Sequence, residues 1–357
     1  PGGFDFRRHA WFLGLGAVGY TRVPVLTIAP PDPAALRILA LRIRASRLVQ
    51  SVLPGDVGGF VAAVTTGDRS GVSQQALQDL RGSNLAHLLA ISGLHMGLLA
   101  GFVFASLRGL MVLFTPFALR WPVRKLAAVG ALAAATGYLM LSGGNVATER
   151  AFVMTAVMLG AVLVDRRALS LRAVATAALI VLCLRPESLM GPGFQMSFAA
   201  TTALVAVFGA LREADISLGK GWINAVASVV LSSLVAGLAT APVAAAHFNT
   251  VSHYGLLANL LSVPLMGVLV IPSAVLAICL APFGGAIVGL TLMGAGLEWI
   301  LYVAHRIAEL PGARGYVISP GDAVLPVLML GGLWLILWQG RGRWAGVLPV
   351  LIAFALW

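Results

Sequence analysis

The sequence predicts an all-α polytopic membrane protein, a bundle of about ten membrane segments, some of them broken or re-entrant. Hydrophobic residues make up 59% of the 357 residues, and the mean hydropathy is +0.94. Only 10% of the residues are charged, against about 25% in ordinary soluble chains. No Asp, Glu, Lys or Arg occurs from Gly221 to Leu297, a stretch long enough for about three spans. These observations exclude a water-soluble globular fold.

The first 83 residues are expected to precede the membrane segments. Residues 1–31 are rich in Gly, Pro and aromatic side chains and are interpreted as loop and strand remnants. Asp32 and Pro33 are typical of a helix start, and the helix that follows carries several arginines and no acid. We expect interfacial helices over 32–83, with arginine side chains that reach lipid headgroups. A solvated helical layer is the alternative.

Apolar stretches separated by short polar turns fill the rest of the chain. The expected membrane segments are 84–114, 122–141, 147–164, 168–184, 191–211, 222–246, 254–281, 285–310, 323–338 and 344–357. Pro242, Pro264 and Pro272 are expected to break the sixth and seventh segments, because proline lacks the amide hydrogen that a helix interior needs.

The basic residues between the segments predict an orientation. If the first segment runs inward, the cytoplasmic turns hold three acids, Asp165, Glu213 and Asp215. The same turns hold many more bases: Arg108, Arg120, Arg124, Lys125, Arg166, Arg167, Arg172, Arg212, Lys220, Arg341 and Arg343. Cytoplasmic loops of membrane proteins carry such an excess of Lys and Arg. The N-terminal region is therefore expected outside the cytoplasmic membrane.

The stretch "NLAHLLAISGLHMGLLAG", residues 84–101, combines apolar and polar side chains in the first segment. On one continuous helix, its polar groups and one further serine share a side. Lipid offers such a polar stripe no partner, so it is expected to face protein or water. Gly93 favours a kink within the segment. The residues of the predicted stripe are Asn84, His87, Ser92, His95 and Ser106.

Several functions fit this stripe on residue types alone. It forms an interhelical hydrogen-bond network without a transport role, or it lines a water-filled conduit. Ser92 and His95 are also spaced to meet as a nucleophile and base, but the G-x-S-x-G elbow and an orienting third group are missing. A metal site at His87 and His95 has little support, because no Cys or carboxylate lies nearby in sequence. No cofactor is expected.

Four stretches together resemble one known family. The segment 84–101, "ERAFVMTAVMLGAVLVDRR" (149–167), "RPESLMGPGFQMSFAATTALV" (185–205) and "NLLSVPLMGVLVIP" (259–272) occur in the order seen in the ComEC-type competence family of DNA-uptake membrane proteins. The start "PGGFDFRRHAWFLGLGAVG" is similar to the stretch that leaves the small β-barrel (OB-fold) domain of that family. The resemblance covers nearly the whole chain.

The resemblance implies an inner-membrane channel that conducts single-stranded DNA into the cytoplasm during natural transformation. It implies a domain division into the tail of an extracytoplasmic OB-fold-like domain (1–31), interfacial helices (32–83) and a transmembrane competence domain (84–357). The expected partners are single-stranded DNA, membrane lipids, a cytoplasmic DNA-translocating ATPase and a DNA-receptor protein. A multi-pass transporter of a small solute is the alternative function.

No enzymatic activity is expected of this chain. The metallo-β-lactamase-like domain of many family members has no counterpart in the sequence, and no H-x-H-x-D-H metal motif occurs. No P-loop of the G-x-x-x-x-G-K-[ST] type is present either. We therefore expect that the chain neither cuts DNA nor pulls it by its own ATP hydrolysis.

Five further residues complete the predicted pore-lining or DNA-contacting set. Glu149 and Arg150 open the third segment, where the arginine is placed to attract phosphate or, alternatively, to form a structural ion pair. Gln195 and Ser197 follow "GPG" at a predicted helix start, which favours anions; ordinary interhelical hydrogen bonding is the alternative. Asn259 belongs to the segment that resembles the family's "NLL..P" motif.

Overall fold

The computed structural model describes residues 6–12, 15–17, 19, 22 and 36–357. Within the N-terminal region the described residues form one short helix, α1 (Phe6–Phe12). Most of the expected β-barrel tail at 1–31, and the expected helix start at Asp32 and Pro33, lie outside the described residues.

The described part of the chain is mostly helical. The α-helices after α1 are α2 (Arg37–Val52), α3 (Gly55–Thr66), α4 (Gln74–Gly82), α5 (Ala86–Leu89), α6 (Gly93–Leu113), α7 (Thr115–Arg120), α8 (Val123–Leu141), α9 (Val146–Leu163), α10 (Leu171–Leu184), α11 (Pro192–Glu213), α12 (Gly221–Phe248), α13 (Gly255–Leu265), α14 (Ile271–Leu280), α15 (Ala286–Ala308), α16 (Val324–Leu337) and α17 (Val347–Leu356). Short 3-10 turns occur at Pro186–Met190, Ala281–Phe283 and Arg341–Gly346, and a π-helical turn at Met266–Val270. Two short strands, β1 (Thr250–Ser252) and β2 (Arg314–Tyr316), pair antiparallel.

Six stretches of the described chain are long and apolar enough to cross a membrane, against the ten that the sequence predicts. They are α6, α9, α11, α12, the stretch Gly255–Phe283 and α15. The shorter apolar helices α10 and α16 lie at two of the other predicted segments. Pro242 lies inside α12 without ending it. A π-helical turn follows Pro264 and joins α13 to α14 within one continuous helical stretch, Gly255–Phe283, so the expected break of the seventh segment is only a local π-helical irregularity.

The main hydrophobic core forms around α3 and α15, which contact each other. Most residues of α3 are buried, and Phe60 and Val61 are fully enclosed. Glycines in α15 allow close packing on two sides: a Cβ at Gly294 would lie 3.0 Å from Leu53 Cδ2 just before α3, and one at Gly296 would lie 2.8 Å from Val270 Cγ2 in the π-helical turn. The core therefore includes residues that precede the predicted membrane domain.

A second group of helices packs beside this core. Helix α6 contacts α8 and α9, and α9 contacts α10, which leads to the pair α11 and α12. Lys125 at the start of α8 forms an ion pair with Asp165 just after α9, at 2.6 Å. The ion pair shows that the start of α8, which lies near Arg120 and Arg124, and the α9–α10 connection with Arg166 and Arg167 lie at the same end of the bundle.

Candidate functional site

Residues 84–101, at the start of the first predicted membrane segment, are interrupted and do not form one continuous helix. Asn84 has a left-handed backbone (φ 66°), α5 covers only Ala86–Leu89, and Ala90 is extended. Helix α6 starts at Gly93, after Ser92 in an extended conformation. The expectation of one helix with a continuous polar stripe is therefore wrong, and the predicted kink near Gly93 is a full interruption.

Because of the interruption, the residues of the predicted stripe do not lie on one helix face and have different surroundings. Asn84 is exposed and packs against Gly255, where an added Cβ would lie 2.8 Å from Asn84 Nδ2. His87 is exposed on α5, and its Nδ1 lies 2.9 Å from the Asn84 carbonyl oxygen. Ser106 is half-buried, eleven residues beyond His95 on α6, which corresponds to roughly 16 Å along the helix axis.

Ser92 and His95 meet at the start of α6. Ser92 Oγ lies 3.1 Å from His95 Nδ1, so the serine is engaged with the imidazole and does not cap the helix. The His95 side chain is fully buried, and its Nε2 has no hydrogen-bond partner among the described residues. A nucleophile-base pair would need a group that orients the histidine through this second nitrogen. The described residues provide none, so the geometry is that of a buried polar pair.

A second segment, a continuous helix with one π-helical turn, lies beside the first. Asn259 and Ser262 lie three residues apart on α13 and therefore share a side of it. Asn259 Oδ1 and Ser262 Oγ are buried, and neither has a hydrogen-bond partner among the described residues. Pro264 has no amide hydrogen, so the carbonyl of Leu260 loses the donor that a regular helix would supply. The π-helical turn follows directly.

Two contacts show how the two segments are arranged. At one end Asn84 packs on Gly255, and at the other a Cβ at Gly267 would lie 3.2 Å from Leu98 Cδ2. The two segments therefore run side by side in the same direction. Along the chain between these contacts lie half-buried Ser92, buried His95 and Ser262, and Asn259 with its buried Oδ1; we call these four residues the helix-break cluster.

A second polar group, on helices α9 to α12, contains the predicted residue Glu149. Arg185 Nε donates to Glu149 Oε2 at 2.8 Å, and Arg185 Nη2 lies at the same distance from that oxygen. Glu149 therefore forms its ion pair with Arg185 and not with its neighbour Arg150. Adjacent residues on a helix point about 100° apart, which leaves Glu149 facing the end of α10.

Arg150 faces α11 instead. Its Nε donates to Ser197 Oγ at 3.3 Å, and a Cβ at Gly193 would lie 3.2 Å from its Nη2. No carboxylate of the described residues forms an ion pair with Arg150. Gln195 Nε2 donates to the Leu189 carbonyl at 3.0 Å. The Gln195 Oε1 atom lies 3.0 Å from His247 Nε2. We call this group the charged cluster; its members are Glu149, Arg150, Arg185, Gln195, Ser197 and His247.

Both clusters lie in a part of the chain that matches known proteins. The family described as competence protein matches residues 64–342. The chain belongs to this family. ComE operon protein 3 of Bacillus subtilis (strain 168) is 29% identical over 327 residues, which are 91% of this chain and 40% of that protein. Competence protein ComA of Neisseria gonorrhoeae is 31% identical over 255 residues, 69% of this chain and 36% of that protein.

The competence-family chain spans less than half the length of these two relatives. No solved structure matches it. The family match begins at Val64 in α3 and so includes the end of the buried helix that precedes the predicted membrane domain. It includes every residue of the helix-break cluster and of the charged cluster.

Three cluster members of this competence-family chain were not identified from sequence. Arg185 and His247 are the partners of Glu149 and Gln195, and both come from segments distant in sequence. Ser262 lies in the same predicted segment as Asn259, and its spacing of three from Asn259 could have indicated a shared helix side. No local pattern connects Arg185 to Glu149.

Proposed function

We propose that this chain forms the membrane conduit through which one strand of DNA enters the cytoplasm during natural transformation. The observation that carries the proposal is the helix-break cluster, in which three buried polar atoms on one interrupted and one π-helical segment lack partners among the described residues. Membership of the competence-protein family supports DNA as the substrate. The name of one relative, competence protein ComA, also refers to competence.

Buried polar atoms without a hydrogen-bond partner raise the free energy of the folded protein. A buried donor or acceptor without a partner costs about 1–3 kcal/mol, so native proteins rarely keep one unless water or a ligand completes it. Interrupted helices at membrane depth are tolerated where they are enclosed by protein or border a water-filled cavity. The helix-break cluster combines both features at one place. A polar path for a hydrated strand supplies the missing partners.

A transporter of a small solute is the second candidate, and the interrupted segment favours it. Many secondary transporters bind their substrate where discontinuous helices meet near the membrane midplane. The two functions differ in which molecules are expected to occupy the helix-break cluster. A DNA conduit should be occupied by oligonucleotides of any sequence, whereas a solute site should be indifferent to them.

The proposal also covers orientation and partners. With the arginine-rich connections inside the cell, as the excess of Lys and Arg favours, residues before α6 lie outside the cytoplasmic membrane. Ser70 is exposed in this region, so an impermeant thiol reagent should label Ser70→Cys in cells with an intact inner membrane. Labelling only after that membrane is opened would show that the residues before α6 lie in the cytoplasm. A separate cytoplasmic ATPase and a DNA-receptor protein complete the proposed system, and the chain itself carries out no chemistry on DNA.

The proposed role of the helix-break cluster is tested by replacing its polar groups with leucine. His95→Leu and Asn259→Leu should each lower transformation frequency by about tenfold or more, the effect of losing one hydrogen bond of ~1.4 kcal/mol to the strand or its water. Membrane abundance should stay normal, because leucine suits the apolar surroundings. Transformation frequency is measured beside the amount of protein in the membrane fraction.

Thr136→Leu is the matched control. Thr136 lies on α8, is exposed, and donates to the carbonyl of Leu132 on its own helix, so it needs no further partner. Uptake should be unchanged in this variant. If both cluster variants reach normal abundance and transform normally, the helix-break cluster does not border the path of DNA.

A further inference from the structure

A pocket of about 400 Å³ lies between α2 and the turn that joins α8 to α9, and Glu149 of the charged cluster is among its lining residues. One wall is formed by Ile38, Leu39 and Arg42 of α2. The other wall is formed by Leu139, Met140, Gly143, Gly144 and Glu149. The volume falls within the range of small-molecule sites. The lining combines an apolar half with a guanidinium.

Backbone contacts hold the Arg42 guanidinium in place. Its Nη2 donates to the Thr66 carbonyl at 3.1 Å and to the Ser142 carbonyl at 3.4 Å, and its Nε lies 3.3 Å from the Thr66 oxygen. Arginine has five N–H donors, and the two on Nη1 make no hydrogen bond to the described residues. Arg42 thus presents a fixed pair of donors at the pocket.

The nearby acids are engaged elsewhere. Glu149 accepts from Arg185, and Asp68 accepts from Ser46 and Ser70. Hydrogen bonds from those two serines, together with the charge of Arg42, lower the pKa of Asp68. Arg42 forms no ion pair with the described residues. Arg37, Arg44 and Arg47 add positive charge on the exposed surface of α2, which carries no acid.

The position of α2 fits a lipid headgroup layer. Leu41, Ile43 and Leu48 are between 41% and 58% exposed beside the exposed arginines of the same helix. A helix that exposes both apolar and basic side chains lies at the membrane interface, where basic residues attract anionic lipids. The pocket opens at the end of α8, where a membrane helix turns back, so its depth matches that of the headgroups.

We propose that this pocket binds the phosphate of an anionic phospholipid at Arg42, with the first methylene groups of an acyl chain against Leu39 and Met140. The apolar lining favours a lipid over the DNA backbone, since a nucleic acid would leave that half of the pocket unfilled. The arginine supplies a fork of donors that matches phosphate oxygens. Such a lipid would bridge α2 to the α8–α9 turn.

The test uses the purified full chain in nanodiscs of phosphatidylcholine with or without phosphatidylglycerol. Native mass spectrometry should show phosphatidylglycerol retained on the protein, and the thermal unfolding midpoint should rise when this lipid is present. Leu39→Asp places a negative charge in the pocket without touching the contacts of Arg42. It should weaken retention by about tenfold, as Arg42→Gln should through loss of a charge-assisted contact.

Arg44→Gln is the control, because it removes one charge from the exposed side of α2 and leaves the pocket intact. It should retain the lipid normally. Equal retention by Leu39→Asp and the unmodified chain would overturn the proposal, as would an unfolding midpoint independent of phosphatidylglycerol. Displacement of the lipid by oligonucleotide would assign the pocket to DNA instead. None of these readouts requires DNA transport, so their outcome is independent of the proposed conduit.

Discussion

The charged cluster and the helix-break cluster differ in how their polar groups are satisfied. In the charged cluster, Glu149 is paired with Arg185, and Gln195 is bonded on both sides. In the helix-break cluster, His95, Asn259 and Ser262 each keep a buried atom without a partner. The side chains of the charged cluster mostly bond to one another across helices α9 to α12. The buried atoms of the helix-break cluster have no partner among the described residues, and this difference motivates its proposed role in the DNA path.

The largest effect is expected where the interrupted segment and the π-helical segment touch. Gly255→Ala would bring a Cβ within 2.8 Å of Asn84 Nδ2 and 3.1 Å of Asn84 Cβ. Overpacking of this kind costs about 1–3 kcal/mol, so the thermal unfolding midpoint should fall. Adding Asn84→Gly removes both the amide group and the Cβ, suits the left-handed backbone at this position, and should restore most of the loss. If the double variant is no more stable than Gly255→Ala, these segments do not pack as described.

A smaller effect is expected in the charged cluster, at the ion pair of Glu149 and Arg185. Both side chains are about a third exposed, at 37% and 35%, so the pair is worth about 1 kcal/mol or less. Glu149→Gln should lower stability by that amount, and Glu149→Gln with Arg185→Gln should recover part of it, because no charge is then left unpaired. Recovery by Arg150→Gln in place of Arg185→Gln would contradict the observed pairing.

The smallest effect is expected at Arg150, the one guanidinium of the charged cluster without an acidic partner among the described residues. If it also meets phosphate, Arg150→Ala should weaken single-strand binding by about 1 kcal/mol. The salt dependence should flatten slightly, since one contact fewer releases fewer counterions. Titration of nanodisc-embedded protein with labelled oligonucleotide at several salt concentrations measures both. An unchanged salt slope would leave Arg150 as a structural link to Ser197, like the rest of the cluster.

The sequence predicts the membrane helices well because a long run of hydrophobic residues is enough to identify them. Each of the six stretches long enough to span falls on a predicted segment, and the π-helical irregularity after Pro264 follows from the missing amide hydrogen. The interruption at Asn84–Ser92 was predicted only as a kink. A uniformly apolar stretch has the same composition whether it is one helix or two, and the left-handed Asn84 is held by contact with Gly255, which lies far away in sequence.

The candidate site was predicted only in part, for a related reason. Residue type alone does not separate the buried His95 from the exposed Asn84 and His87, because burial and hydrogen-bond partners are set by tertiary contacts. Glu149 and Arg150 are neighbours in sequence, yet each bonds to a different helix. The burial of helix α3 was not predicted from sequence either, because a short run of Gly, Ala and Val is typical of both a loop and a buried helix.

The most direct test of the central claim asks whether water and DNA reach the helix-break cluster. Cys183 and Cys279 are both exposed, so they are first replaced by serine, and Ser262→Cys or Thr136→Cys is then added. The account predicts that a small water-soluble thiol reagent modifies Ser262→Cys in the folded protein, and that single-stranded DNA slows this reaction but not that of Thr136→Cys. No modification of Ser262→Cys, or modification that single-stranded DNA leaves unchanged, would contradict a DNA path through the helix-break cluster.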